Sequence, residues 1–298
     1  MTIGRAQWAT EVSAGFILDQ IKFGRGLFDF LDALIVVAVT QANVELVLRD
    51  PALQRAYAAY DAPPPDELRR PISVNALAQS LRLPFETVRR RVSRLVLFGI
   101  LKVSADGVWT PGAKVRSPLH RKVAEAGYAR MLALRARLAV LPELQDLPRA
   151  EPWARTSPPL RAAARVSAEY LLRFVDLLTA EIGDVVDAAV WLEILRSNTA
   201  ESDRGPDQRA DRRAVRPALV ARRLALPAET VRRRAAQLVS TGACDQVAAG
   251  LVISEEILAR PQYAALAERN LADLRRMLAQ LAQLGAFRLD EAQTRAAA

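Results

Sequence analysis

Apolar positions recur at helical spacing along most of the chain, and short interruptions divide the pattern into elements. In Val74 to Leu81 the apolar residues Val74, Leu77, Ala78 and Leu81 share one face, and Ser73 is placed to cap the helix. Arg82-Leu-Pro84 breaks the pattern. A second helix is expected over Pro84 to Phe98, with proline in the first turn, Glu86 against the positive end of the dipole, and Val88, Val92 and Leu95 as its buried stripe. At about 100° per residue, Glu86, Arg90, Ser93 and Leu97 point away from that stripe, with Arg89 and Arg94 on the flanks. Gly99 suits a left-handed helix end, and Ile100 to Val103 and Val108 to Thr110 form two strands around the turn Ala105-Asp-Gly107.

The same pattern returns later in the chain. Leu81-Arg-Leu-Pro-Phe-Glu-Thr-Val-Arg-Arg-Arg91 matches Leu224-Ala-Leu-Pro-Ala-Glu-Thr-Val-Arg-Arg-Arg234, followed by Gly99 against Gly242, at an offset of 143. Earlier, Val12-Ser-Ala-Gly-Phe-Ile-Leu18 matches Val166-Ser-Ala-Glu-Tyr-Leu-Leu172, and Asp32 and Asn43 match Asp187 and Asn198, at an offset of 155. The second copy is therefore twelve residues shorter between these segments, within the stretch corresponding to Val44 to Pro71. The division expected is a first unit over residues 1–141, a proline-rich linker over 142–164 and a second unit over 165–298.

Flanking helices complete each copy. Phe28 to Asn43 and Val166 to Leu195 are apolar over most of their surface and are expected as central packing helices. Leu119 to Leu141 and Tyr263 to Leu284 are amphipathic. Aromatic residues at Phe16, Phe30, Tyr170, Phe174 and Trp191 fit core positions better than a ligand pocket. Asn198 to Arg213, rich in Asp, Arg, Gly and Pro, is expected as a mobile loop.

Composition narrows the chemistry. The 298 residues carry a formal charge of +9, and the calculated isoelectric point near 10.3 points to an anionic partner. The first 150 residues hold seven of those nine net charges. One cysteine, Cys244, and one histidine, His120, leave no intrachain disulfide, zinc finger or multi-histidine site. No nucleophile elbow, dinucleotide fingerprint or phosphate-cradling loop occurs, so no catalytic residues, metal or cofactor are expected. The segment Met1 to Asp19 carries Arg5, Glu11 and Asp19 and lacks the apolar core of a secretory signal, and the longest apolar run is Ala33 to Val39. A cytoplasmic protein without a membrane partner is expected.

Two short helices, a tight turn and a β-hairpin make a winged helix-turn-helix. Leu83-Pro-Phe-Glu-Thr-Val-Arg-Arg-Arg-Val-Ser-Arg-Leu-Val-Leu-Phe-Gly-Ile-Leu101 resembles the winged-helix bacterial transcription regulators of the GntR and MarR kind, and the two motif regions cover about a quarter of the chain. The fold class implied is mainly α with two short β-hairpin wings, as tandem duplicated winged helix-turn-helix units with flanking helices. The function implied is sequence-specific binding of double-stranded DNA by two recognition helices in one chain, a fused pseudo-dimer, with a homodimer as a further state. The resemblance assigns DNA contacts to Phe85, Glu86, Thr87, Arg89, Arg90, Ser93 and Arg94 in the first copy, and to Glu229, Thr230, Arg232, Arg233 and Gln237 in the second. Two alternatives stay open: a winged-helix protein-interaction scaffold, which the wing tips Ser104 to Gly107 and Ala248 to Gly250, without Lys or Arg, favour, and a plasmid-type replication initiator.

Overall fold

A computed structural model describes residues 4–21, 28–150, 158–199, 205–206 and 212–287. These are mainly helical, with two antiparallel two-stranded sheets. They group into two compact units, each gathered from several stretches of chain. One comprises Leu34–Arg135, Glu143–Leu172 and Arg275–Ala298 and is called here the Asn43 unit; the other comprises Met1–Ala33, Ala136–Pro142 and Arg173–Leu274 and is called the Asn198 unit. The division at 142–164 and these packing units are different partitions of the chain, because each unit is completed by a helix from the far side of that stretch.

In the Asn43 unit, helices Val74–Ser80 and Phe85–Leu97 are followed by strands Lys102–Ser104 and Gly107–Trp109. Ser73 caps the first helix by accepting from the Ala76 amide at 3.1 Å. The turn between the helices passes through Arg82 at φ 50°, a left-handed position, and the Leu83 amide then donates to the Ala78 carbonyl at 3.0 Å. Pro84 is the cap and lies outside the second helix, so that helix is one residue shorter at each end than the Pro84 to Phe98 expected. Val88, Val92 and Leu95 are buried as its inner stripe. Gly99, at φ 63°, ends it, with the Ile100 amide reaching back to the Leu95 carbonyl at 2.9 Å.

The Asn198 unit contains the same order: helices Pro217–Leu224 and Ala228–Ser240, then strands Asp245–Val247 and Gly250–Val252. Ala225 takes the left-handed turn position at φ 54°, and the Leu226 amide donates to Ala221 at 3.1 Å. Val231, Ala235 and Leu238 form the inner stripe.

One buried amide secures each hairpin. Asn43 Nδ2 donates to the Arg70 and Val108 carbonyls at 2.8 and 3.3 Å, while its Oδ1 accepts from the Thr110 amide at 2.8 Å. Asn198 makes the matching set, donating to Arg213 and Leu251 at 2.7 and 3.1 Å and accepting from Ile253 at 2.9 Å. The first amide closes a loop spanning 27 residues and the second one spanning 15, so the twelve-residue difference falls inside the closed loop. In the longer loop, helices Glu45–Arg49 and Pro51–Ala56 and a single 3-10 turn at Asp66–Leu68 occupy the extra length. Ile72 and Val215, just before the first short helix of each unit, bridge to Val108 and Leu251 and widen each hairpin by one strand segment. That contact requires glycine. A Cβ on Gly107 would lie 2.6 Å from the Ile72 carbonyl oxygen, and one on Gly250 closer still to that of Val215, and both glycines have positive φ.

The long helices Phe30–Asn43, Pro118–Leu138 and Pro261–Gln283 end within three residues of the expected spans, and one expected span differs more. Val166 to Leu195 is two helices, Leu160–Ile182 and Val185–Thr199, parted at Gly183 with φ 131°. Asp184 caps the second of them through the Val186 and Asp187 amides at 2.8 and 3.0 Å. Asp29 donates and accepts in the same way with Asp32 at the start of Phe30–Asn43. Thr199 ends the helix that runs into the expected mobile loop, and most of residues 198–213 lie outside the described residues. Phe16, Phe30, Tyr170, Phe174 and Trp191 are all buried. Trp191 donates its indole N–H to the Ala243 carbonyl at 3.1 Å.

The first helix of each repeat contributes to the unit of the other, wholly for the first repeat and in its early part for the second. Arg5–Ile21 packs along Val185–Thr199 in the Asn198 unit, where Gln7 donates to the Leu258 carbonyl at 2.6 Å and Asp19 pairs with Arg196 at 3.0 Å. The early part of Leu160–Ile182 belongs to the Asn43 unit. There Arg161, buried, donates to the Tyr60 and Val115 carbonyls at 2.6 and 2.8 Å, and Arg165 to Tyr57 at 2.9 Å. The Tyr60 ring lies between two guanidinium groups, Arg121 at 4.2 Å and Arg161 at 4.4 Å from its centroid. Its hydroxyl donates to the Ser117 carbonyl at 3.0 Å and lies 3.2 Å from His120 Nδ1. Burial first, and the Arg161 charge second, push the His120 imidazole down to about 4.

Two outcomes are expected. Asn43→Ala and Asn198→Ala each leave a buried amide, that of Thr110 or Ile253, without its acceptor, and each should cost about 1 to 3 kcal/mol in urea denaturation. His120 binds its proton more tightly in the unfolded chain than in the folded one, so stability should be full above about pH 6.5 and fall as pH drops toward 4. The loss attributable to His120 is at most about 3 kcal/mol, and it should be absent in His120→Gln when melting is compared across that range.

Candidate nucleic-acid interface

The residues assigned to DNA contact separate into one set in each unit. In the Asn43 unit, Phe85, Glu86, Arg89, Arg90, Ser93 and Arg94 are exposed on the outward side of Phe85–Leu97, with Thr87 partly covered. In the Asn198 unit, Glu229, Arg232, Arg233 and Gln237 are exposed on Ala228–Ser240, with Thr230 partly covered. Helix register explains this directly. The inner stripe anchors one side, and the charged positions are those a helix must turn toward solvent.

Within each set, one ion pair is preformed. Arg89 donates side-on to Glu86, Nε to Oε2 at 2.8 Å and Nη2 to Oε1 at 2.7 Å. Arg232 holds Glu229 in the same way at 2.8 and 2.6 Å. These hydrogen bonds hold both carboxyls below the usual carboxylate range, so both are ionised at neutral pH. Arg90 and Arg233 make no hydrogen bond or ion pair among the described residues, and their forks face solvent. Ser93 turns its hydroxyl back to the Arg89 carbonyl at 3.0 Å.

Arg234 is a structural residue. It pairs with Asp184 at 2.6 Å and with buried Asp187 at 3.1 Å, tying the second short helix to the cap of Val185–Thr199. Burial raises the Asp187 carboxyl, with Asp184 adding to the rise and Arg234 opposing it. A second tie is Arg223 to Glu193, fully buried, at 3.2 Å. Neither Glu193 nor Arg223 has a charged counterpart in the first copy, where Ala38 and Ser80 occupy the positions.

Beyond the assigned residues, the first set continues into exposed apolar side chains: Leu97 is 87%, Phe98 47% and Val103 57% exposed. The second copy has Ser240, Thr241 and Gln246 there. Position-by-position comparison of the repeats would have singled these out, since apolar residues stand against polar ones at solvent-facing sites. The wing turns carry no cation. Cys244 is buried and its thiol is pushed up to about 12, so it stays protonated at neutral pH. Among the described residues there is no cluster of His, Cys, Asp or Glu arranged to hold a metal ion, and no helix is long and apolar enough to cross a membrane.

Comparison with protein families, with curated proteins and with solved structures finds no match.

Replacing Arg234 should uncover the buried Asp187 charge. Arg234→Ala is expected to lose about 2 to 4 kcal/mol in chemical denaturation, whereas Arg233→Ala, with its side chain in solvent, should stay within about 0.5 kcal/mol of the parent.

Proposed function

We propose that the chain is a sequence-specific DNA-binding transcription regulator, non-enzymatic and cytoplasmic, built from two tandem winged helix-turn-helix units that act as a fused pseudo-dimer. The observation that carries this reading is the repeated outward helix face, Glu-Thr followed by two arginines, anchored by the same buried stripe and the same asparagine-held hairpin in both units. An exposed arginine near the start of such a helix suits guanine O6 and N7 in the major groove, and the net charge of +9 supplies the general attraction to phosphate. The exchange of first helices supports the fused-dimer part of the reading, since each unit is completed by the other repeat. The residues of the Asn43 unit carry a formal net charge of +10 and those of the Asn198 unit −1, which favours the Asn43 unit as the stronger reader.

A protein-interaction role is favoured by one observation, the exposed Leu97, Phe98 and Val103 of the first copy.

Selection of duplexes from random DNA by the full chain tests the DNA reading. Arg90→Ala should weaken binding to the selected duplex by about 1 to 3 kcal/mol and relax specificity at one base pair, and Arg233→Ala should do so less. If these arginines touch only phosphate, affinity should fall uniformly across sequences and the salt slope should shrink by about one unit. Unchanged binding in both variants, or no duplex selected, overturns the reading in favour of protein interaction.

A further inference from the structure

We infer that the two exposed helices recognise the same short element of DNA sequence, a cytosine accepted by Glu86 or Glu229 beside a guanine gripped by Arg90 or Arg233, so that the bound site contains this element twice. The inference rests on the DNA-binding reading and adds to it the bases read.

The outward stripe of each helix divides into two halves. Its first two turns are the same in both units, Glu86 and Arg90 against Glu229 and Arg233, while the later positions differ, Ser93 and Leu97 against Ala236 and Ser240. In helices of this kind the first turns meet base edges and the later ones leave the groove. The repeated half is therefore the half that would carry sequence information, and the divergent half would not.

The side chains in the repeated half have complementary chemistry. A carboxylate only accepts, so in the major groove it is matched by cytosine N4, whereas adenine sets its N7 acceptor beside the N6 donor and guanine offers acceptors alone. An unshielded carboxylate near the phosphate backbone would also be repelled. The side-on fork of Arg89 offsets that charge and fixes the plane of Glu86, and Arg232 does the same for Glu229. Each fork uses one hydrogen-bonding position on each carboxylate oxygen, and about two of the four remain for a base. Arg90, four residues on, keeps its fork free for guanine O6 and N7. Four residues of helix rise about 6 Å, under two base-pair steps of about 3.4 Å, so the two bases lie within two steps of each other.

Glutamine replaces the acceptor pair by an acceptor and a donor, the pattern that suits adenine N7 and N6. The full chain and the double variant E86Q/E229Q, each shown by circular dichroism and melting to keep the parent fold, are taken through the same selection from random duplexes. The parent should select two copies of an element containing cytosine and guanine, and changing either cytosine should weaken binding about fivefold or more. The double variant should select adenine at both cytosine positions, and E86Q alone should change one of them. If the parent selects a duplex without a repeated cytosine and guanine element, or if E86Q/E229Q selects the same bases as the parent, the inference is overturned, while Arg90→Ala still weakening binding would preserve the DNA reading. If no duplex is selected, both fall together.

Discussion

Each hairpin depends on one buried side-chain amide. Asn43 and Asn198 each accept from one buried amide, that of Thr110 or Ile253, and donate to two carbonyls, one of which, that of Val108 or Leu251, also accepts from the bridging Ile72 or Val215 amide, and they do so from the C-terminal end of a core helix. A buried backbone group without a partner costs as much as a lost hydrogen bond, so this single side chain makes the junction between core helix, loop and hairpin affordable. The second short helix buries Val88, Val92 and Leu95, or Val231, Ala235 and Leu238, along one side. The direction of the arginine-bearing face follows from that burial.

Buried charged side chains orient the helices of both units. In the Asn198 unit the second short helix is tied to a buried aspartate through Arg234, and the first to buried Glu193 through Arg223. Charges of this kind are costly to break and contribute little net stability when intact, so they hold orientation more than they add energy. In the Asn43 unit the buried arginines Arg161 and Arg165 satisfy carbonyls of Tyr57, Tyr60 and Val115. The unit with the larger share of positive charge also exposes Leu97, Phe98 and Val103.

Much of this was legible in the sequence because it is local. The period of Val88, Val92 and Leu95, the break at Pro84, the end at Gly99 and the turn at Gly107 each follow from dihedral preference and burial. The left-handed turns at Arg82 and Ala225 were not legible, since neither residue is glycine and tertiary packing imposes the conformation. The break at Gly183 was hidden by apolar residues on both sides. The Glu86 to Arg89 pair lay in plain view at a spacing of three, but its side-on geometry came only from the fold. The exchange of first helices could not be read at all. Two copies of one repeat offer nearly the same surface, so periodicity fixes which face is buried and leaves open which copy buries it.

If the chain is a fused pseudo-dimer that reads DNA, both outward helices of one chain engage one duplex. Amide hydrogen exchange of the full chain, with and without a selected duplex, tests it most directly. Slowed exchange in both Phe85–Leu97 and Ala228–Ser240 at one chain per duplex is the expected result. Protection confined to one of these helices, or found only elsewhere in the chain, would contradict it.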